Sequence, residues 1–199
     1  MAGADAGRTG CSNGATASTR TLPVVLPEKP SSGLVVLIPA AEPAVGLWRD
    51  RLDPSAAFGV GAHVTVLAPF APPELIDDVL LTRLQGLFAN VPSFSYTFDR
   101  TAWFEDLVLW LAPTDDRPFR RLTEAVQGAF PQYPPFEGVF ADPTPHLTVG
   151  HEAAVEALRE AEFGLAGLAP IRGRANAVTL LEQTVVGEPL SVREVFRLG

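Results

Sequence analysis

Pro145-His146-Leu147-Thr148-Val149-Gly150 alternates apolar and polar residues with period two. An extended chain there sends His146 and Thr148 to one face, about 6.6 Å apart, and Leu147 and Val149 to the other. Ala62-His63-Val64-Thr65-Val66-Leu67 repeats the frame, with His63 and Thr65 on one face and Val64 and Val66 on the other. The chain has three histidines, and two of them stand in this frame, 83 residues apart. One copy alone reads as a half-buried strand with a wet face. Two copies at that separation place one His-Thr pair in each half of a single two-lobed domain.

Around the motifs the pattern alternates between strands and helices. Residues 34–38 form an apolar run of strand length closed by Pro39. In 42–52, Val45, Trp48 and Leu52 recur at helical spacing, with Arg49, Asp50 and Arg51 assigned to the opposite side, and Asp53-Pro54 ends the element. A Gly-containing loop, 54–61, leads into the first motif. A helix is expected over 74–89, with Leu75, Val79, Leu80, Leu84, Leu87 and Phe88 as its buried stripe, and a hairpin of two strands turning near Glu105-Asp106 follows. A helix over 117–130 buries Phe119, Leu122, Val126 and Phe130, and a Pro-rich loop delivers the second motif. After it come a short helix, 153–163, strands at 171–177 and 178–185, and a closing strand at 192–198. Helices follow the His strand in both halves. The fold class is therefore α+β, with two antiparallel sheets that each carry one His-Thr pair towards a shared cleft.

Composition bounds the function. With 199 residues, 47% of them hydrophobic, the chain can bury a real core as one domain, read as 33–199 after a disordered leader, 1–32, rich in Gly, Ala, Ser, Thr and Pro. The net charge of −8 counts against a broad electrostatic grip on nucleic acid. A single cysteine, Cys11, excludes an intramolecular disulfide or cysteine metal site. With no signal-peptide or membrane-span pattern, a cytoplasmic monomer that binds no membrane is expected.

Two imidazoles in one cleft, each titrating near pH 6.5, can act as base and acid at once. Displacement at phosphorus needs that pair. One His takes the proton of an attacking water, the other protonates the leaving oxygen, and the Thr65 and Thr148 hydroxyls donate to the non-bridging oxygens. A 2′,3′-cyclic phosphate needs no metal for this. Zinc ligation usually shows closer ligand spacing than His146 and His151 straddling Gly150, no Gly-x-Ser-x-Gly elbow is present, and Gly59-Val60-Gly61 lacks the rest of a phosphate-loop or dinucleotide fingerprint.

With two His-x-Thr-x strands, His63-Val64-Thr65-Val66 and His146-Leu147-Thr148-Val149, the chain resembles the two-histidine phosphoesterase superfamily, and within it the 2′-5′ RNA ligase-like and RNA 2′,3′-cyclic phosphodiesterase group. Residues 34–39, Val108-Leu109-Trp110-Leu111 and the strands from Val178 support the resemblance, which covers about 33–198. It implies two pseudo-symmetric lobes about a central groove. His63 and His146 would be the catalytic pair, with Thr65 and Thr148 on the phosphate and no cofactor or metal. Many relatives place Arg or Lys just after the second motif. His151 stands there, as a third phosphate contact or as a solvated strand-end residue. The expected substrate is a small nucleotide or an RNA end with a cyclic phosphate, opened to a 2′-phosphate. Ligation or cleavage of 2′-5′ linkages and a non-catalytic phosphate-binding module are the alternatives. Phe70, Trp103 and Phe104 are candidate stacking residues, and Arg100 and Arg172 candidate cleft cations.

Overall fold

The computed structural model describes residues 29–139 and 142–199, so most of the expected leader, Cys11 included, lies outside the described residues. The elements run β1 (Ser31–Leu37), α1 (Glu42–Leu52), α2 (Pro54–Ala57), β2 (His63–Leu67), α3 (Asp78–Ala89), β3 (Phe94–Phe104), β4 (Val108–Pro113), α4 (Arg117–Ala129), β5 (Leu147–His151), α5 (Val155–Leu165), β6 (Ile171–Ala175), β7 (Ala177–Gln183) and β8 (Ser191–Arg197). They form two four-stranded sheets, β2-β1-β7-β8 and β5-β4-β3-β6, with every pairing antiparallel. Both motif strands are edge strands, and they lie against one another where the sheets meet.

Each sheet has its connecting helix packed beneath the other sheet's motif strand. Helix α1, which follows β1, packs on β5, and α4, which follows β4, packs on β2. Thr123 of α4 donates its hydroxyl to the Val66 carbonyl at 2.8 Å. This exchange makes one core of both lobes, in which Val64 and Val66 join Leu147 and Val149. The alternation that defines the motifs thus buries their apolar halves against the helices. Both strands bulge just after the motif threonine. Thr65 faces Val35 while Leu67 faces Leu34, and Thr148 faces Trp110 while Gly150 faces Leu109. A bulge bends its strand and re-aims the next side chains. In β5 it puts His151 opposite Val108, on the face of Trp110 and Ala112, which form a small apolar cluster apart from the main core.

Gly150 is held to glycine by this packing. A Cβ there would stand 2.6 Å from the Leu52 Cβ, 2.8 Å from a Leu158 methyl and 3.1 Å from the Leu52 carbonyl oxygen. Backbone cannot yield as a side-chain tip can, so Gly150→Ala is expected to destabilise the fold by about 1–3 kcal/mol. The check is the urea midpoint at unchanged slope.

Several expectations shift. Strand β1 begins at Ser31, and Ser32 is buried, its hydroxyl bonded to the Ala71 carbonyl at 2.6 Å. The loop before the first motif contains α2, whose Ser55 amide donates to the Asp53 carboxylate at 3.0 Å. The helix expected over 74–89 starts at Asp78, because the Asp77 carboxylate accepts the Leu80 amide at 2.8 Å and caps it there. Leu75 and Val79 are consequently exposed, while Leu84 and Phe88 are buried. The largest correction concerns Arg49. It shares the inward face of α1 with Val45 and Leu52 and is 1% exposed.

Candidate active site

His63 opens β2 and His146 immediately precedes β5. Both are partly exposed, and each ring sits at a local backbone hook. His63 Nδ1 lies 2.8 Å from the Gly61 carbonyl oxygen, and His146 Nδ1 lies 2.7 Å from the Thr144 carbonyl oxygen. A carbonyl accepts only, so each neutral ring carries its proton on Nδ1 and leaves Nε2 as the basic nitrogen, with no hydrogen-bond partner among the described residues. The same i−2 hook in both lobes gives the two imidazoles the same tautomer. Thr65 and Thr148 stand two residues further on, partly exposed, and their hydroxyls are engaged by no other side chain or carbonyl among the described residues.

The surroundings of the two rings differ. His146 meets the edge of an aromatic wall. Its ring is 4.9 Å from Phe104 and 5.7 Å from Trp110, and those two rings stack at 4.7 Å. Burial holds its pKa below the ordinary 6.5, and charge on His151 pushes it the same way. His63 is lowered to about 4, by burial first and by the Arg49 guanidinium second, with the Gly61 carbonyl and Asp53 opposing. On both rings the neutral form is favoured. A concavity of about 440 Å³ adjoins the residues just before His146, lined among others by Arg100, Trp110, Thr114, Arg117, Thr144 and Pro145 and by none of the four motif side chains.

The sequence profile of the 2′-5′ RNA ligase superfamily matches residues 38–187, a span that contains both motifs. The chain belongs to the 2′-5′ RNA ligase superfamily. Its fold is similar to that of Escherichia coli LigT complexed with 3′-AMP, at TM-score 0.54 and 17% identity over 85% of this chain and 99% of LigT. It is likewise similar to TT0787 of Thermus thermophilus, at TM-score 0.53 and 17% identity over 84% of this chain and 97% of that one. No curated protein sequence matches the chain. The two-histidine phosphoesterase superfamily and its bilobal α+β fold, expected from the paired motifs, are thereby established.

Within this superfamily member the structure brings His63, Thr65, His146 and Thr148 together along the facing edge strands. His151 is buried rather than solvated. It is 7% exposed, with Nδ1 3.8 Å from the Asp53 carboxylate and no hydrogen-bond partner. Phe70 is core, packed edge-on to Phe130 and Tyr133. Trp103 donates its indole N–H to Glu162 at 2.7 Å and lies under Arg159. Of the aromatic candidates only Phe104 reaches a motif histidine, and Trp110 joins it. Arg100 reaches the concavity, while Arg172 is an exposed residue of β6, which lies furthest from β5 in its sheet. Among the described residues no group of three or more His, Cys, Asp or Glu side chains could hold a metal ion, and no helix is long and apolar enough to cross a membrane.

Proposed function

We propose that this phosphodiester-acting enzyme opens 2′,3′-cyclic phosphates on a nucleotide or RNA end to 2′-phosphates, with His63 as base and His146 as acid. The observation that carries the reading is the pair of imidazoles held alike through Nδ1, with Nε2 unpartnered, at the heads of two edge strands that pack against one another, with an unengaged threonine hydroxyl two residues on from each. As a water oxygen attacks phosphorus, His63 Nε2 takes its proton. As the bond from phosphorus to the 3′ oxygen breaks, His146 Nε2–H gives a proton to that oxygen, leaving a 2′-phosphate and a free 3′-hydroxyl. Thr65 and Thr148 donate to the non-bridging oxygens, on which charge grows. The assignment of roles follows the charges. Arg49, a permanent cation, disfavours a proton on His63 and is not among the charges that act on His146.

A groove whose lobe-two floor is Val108, Trp110 and Ala112, in a chain of net charge −8, suits a substrate recognised by one phosphate and a small organic body. The 440 Å³ concavity lies within the usual range of about 300–1,000 Å³ for small-ligand pockets. LigT structures hold 3′-AMP, ATP and phosphate, ligands of this class. The test is turnover of 2′,3′-cyclic AMP, and of a short RNA ending in a cyclic phosphate, with EDTA present and the product's phosphate located by NMR. A 2′-phosphate formed in EDTA is the expected result. A 3′-phosphate would reverse the orientation of the leaving group, and absence of turnover on both substrates would overturn the reading in favour of 2′-5′ linkages or a phosphate-binding module.

A further inference from the structure

We propose that Arg49 is a positioning residue that ties the two half-sites together and sets the geometry between the two catalytic imidazoles. The role extends the proposed reaction and rests on it for its kinetic test, but the geometry stands apart. Arg49 is a single guanidinium, 1% exposed, lying under the junction of the two edge strands. Its Nη1 donates to the Thr148 carbonyl at 2.8 Å, in the second motif. Its Nη2 donates to the Val60 carbonyl at 2.9 Å and approaches the Gly61 carbonyl at 3.3 Å, just ahead of the first. The Gly61 oxygen is also the acceptor that holds the His63 Nδ1–H. One planar fork therefore fixes the backbone of the strand bearing Thr148 and the hook of His63. It is held in turn by the Asp53 carboxylate, 2.7 Å from Nη1.

The residue type follows from the task. The two sets of carbonyls belong to different lobes, and only a rigid group with donors diverging from one plane reaches both. A lysine ammonium is a compact point charge on a flexible stem and cannot span them. In-line displacement requires base, phosphorus and acid to be aligned, and a misplacement of about 1 Å from a remote change can lower the rate about 10²-fold. The charges that act on His63 are Arg49 of α1, Asp53 just after that helix, and His146 just ahead of β5, while Glu42 at the start of α1 accepts the Ala62 amide. Arg49 is the permanent cation among them.

The test compares Arg49→Lys, Arg49→Met and wild type in kcat, KM and the pH profile of kcat/KM on 2′,3′-cyclic AMP, with the His63 pKa followed by NMR. A positioning role predicts that both variants lose about 10²-fold in kcat with KM changed less than about threefold. The His63 titration should rise in Arg49→Met and stay low in Arg49→Lys, since only the former removes the charge. The readings are taken on the folded fraction, fixed by circular dichroism. Arg49→Lys retaining kcat within threefold of wild type would overturn the proposal, as would a loss in both variants that vanishes on correction for unfolded protein. If Arg49→Met fails to fold, Arg49→Lys alone decides through its kcat. If wild type turns over neither cyclic substrate, the functional reading fails, and the separation of the His63 titrations in the two variants still decides whether the guanidinium sets that ring's environment.

Discussion

His63→Ala and His146→Ala are each expected to lower kcat on 2′,3′-cyclic AMP by about 10²–10⁴-fold, with KM changed far less, the range that general acid or base catalysis supplies. Each ring makes one fixed bond, through Nδ1 to a carbonyl, so alanine removes the proton-transfer group without breaking any other contact among polar groups. Two groups that act in one transition state are not additive, so the double variant should fall little below the worse single one. The threonines are neutral donors, and their loss should cost less than loss of either histidine. A single histidine variant that keeps more than a tenth of wild-type kcat would remove that ring from the chemistry.

The pH profile provides a second check on the same pair. Both rings are held below 6.5, His63 at about 4, so the optimum of kcat/KM, which reports the free enzyme, should lie on the acid side of neutrality. Its acid limb falls as His63 gains a proton, and its alkaline limb falls as His146 loses one. Stability follows from the same shifts. Unfolded histidine protonates from about 6.5 downwards while the native rings resist, so below 6.5 the unfolded state binds more protons and stability falls as pH falls towards 4. Urea midpoints at pH 7 and pH 5 read the sign.

The site was legible because period two is a local property. His63, Thr65, His146 and Thr148 could be placed on common faces from spacing alone, and the structure keeps those faces. The lobes were legible for the same reason: the stripe of Phe119, Leu122, Val126 and Phe130 and the hairpin flanking Glu105-Asp106 are both found. What local pattern conceals is pairing at a distance. Arg49 looks like one of three charges on an exposed helix side, although its spacing to Val45 and Leu52, four and three residues away, lies on the buried stripe. Its partners, Thr148 and Val60, lie 99 and 11 residues off. Asp53, four residues after Arg49, was the available signal, since an i,i+4 pair of opposite charges beside an apolar stripe can be buried only together. His151 was ambiguous because its face depends on a bulge. Strict alternation from Thr148 would send it to the side of Leu147 and Val149, and one extra residue returns it to the groove face.

Asp53→Asn is expected to destabilise the protein by about 3–5 kcal/mol, the cost of leaving one member of a buried ion pair without its partner. The Asp53 and Arg49 side chains are 1% and 2% exposed and 2.7 Å apart, so the guanidinium left behind can be neither hydrated nor readily deprotonated. Asparagine keeps an oxygen for the Ser55 amide, which confines the loss to the charge. Asp53→Ala should lose about 1 kcal/mol more by removing that cap as well. Replacing both partners, as in Arg49→Met with Asp53→Asn, should recover part of the loss, because no unpaired charge then remains buried. Denaturant midpoints for the two singles and the double close the cycle, and a single Asp53→Asn loss below about 1 kcal/mol would show that water reaches the pair. The activity profile gives a further sign. The Asp53 charge raises the pKa of both motif histidines, so Asp53→Asn should move the profile to lower pH while Arg49→Met moves its acid limb to higher pH. Opposite displacements from two residues of one buried pair, neither of them on the substrate, would locate the tuning of the catalytic rings beneath the strands that carry them.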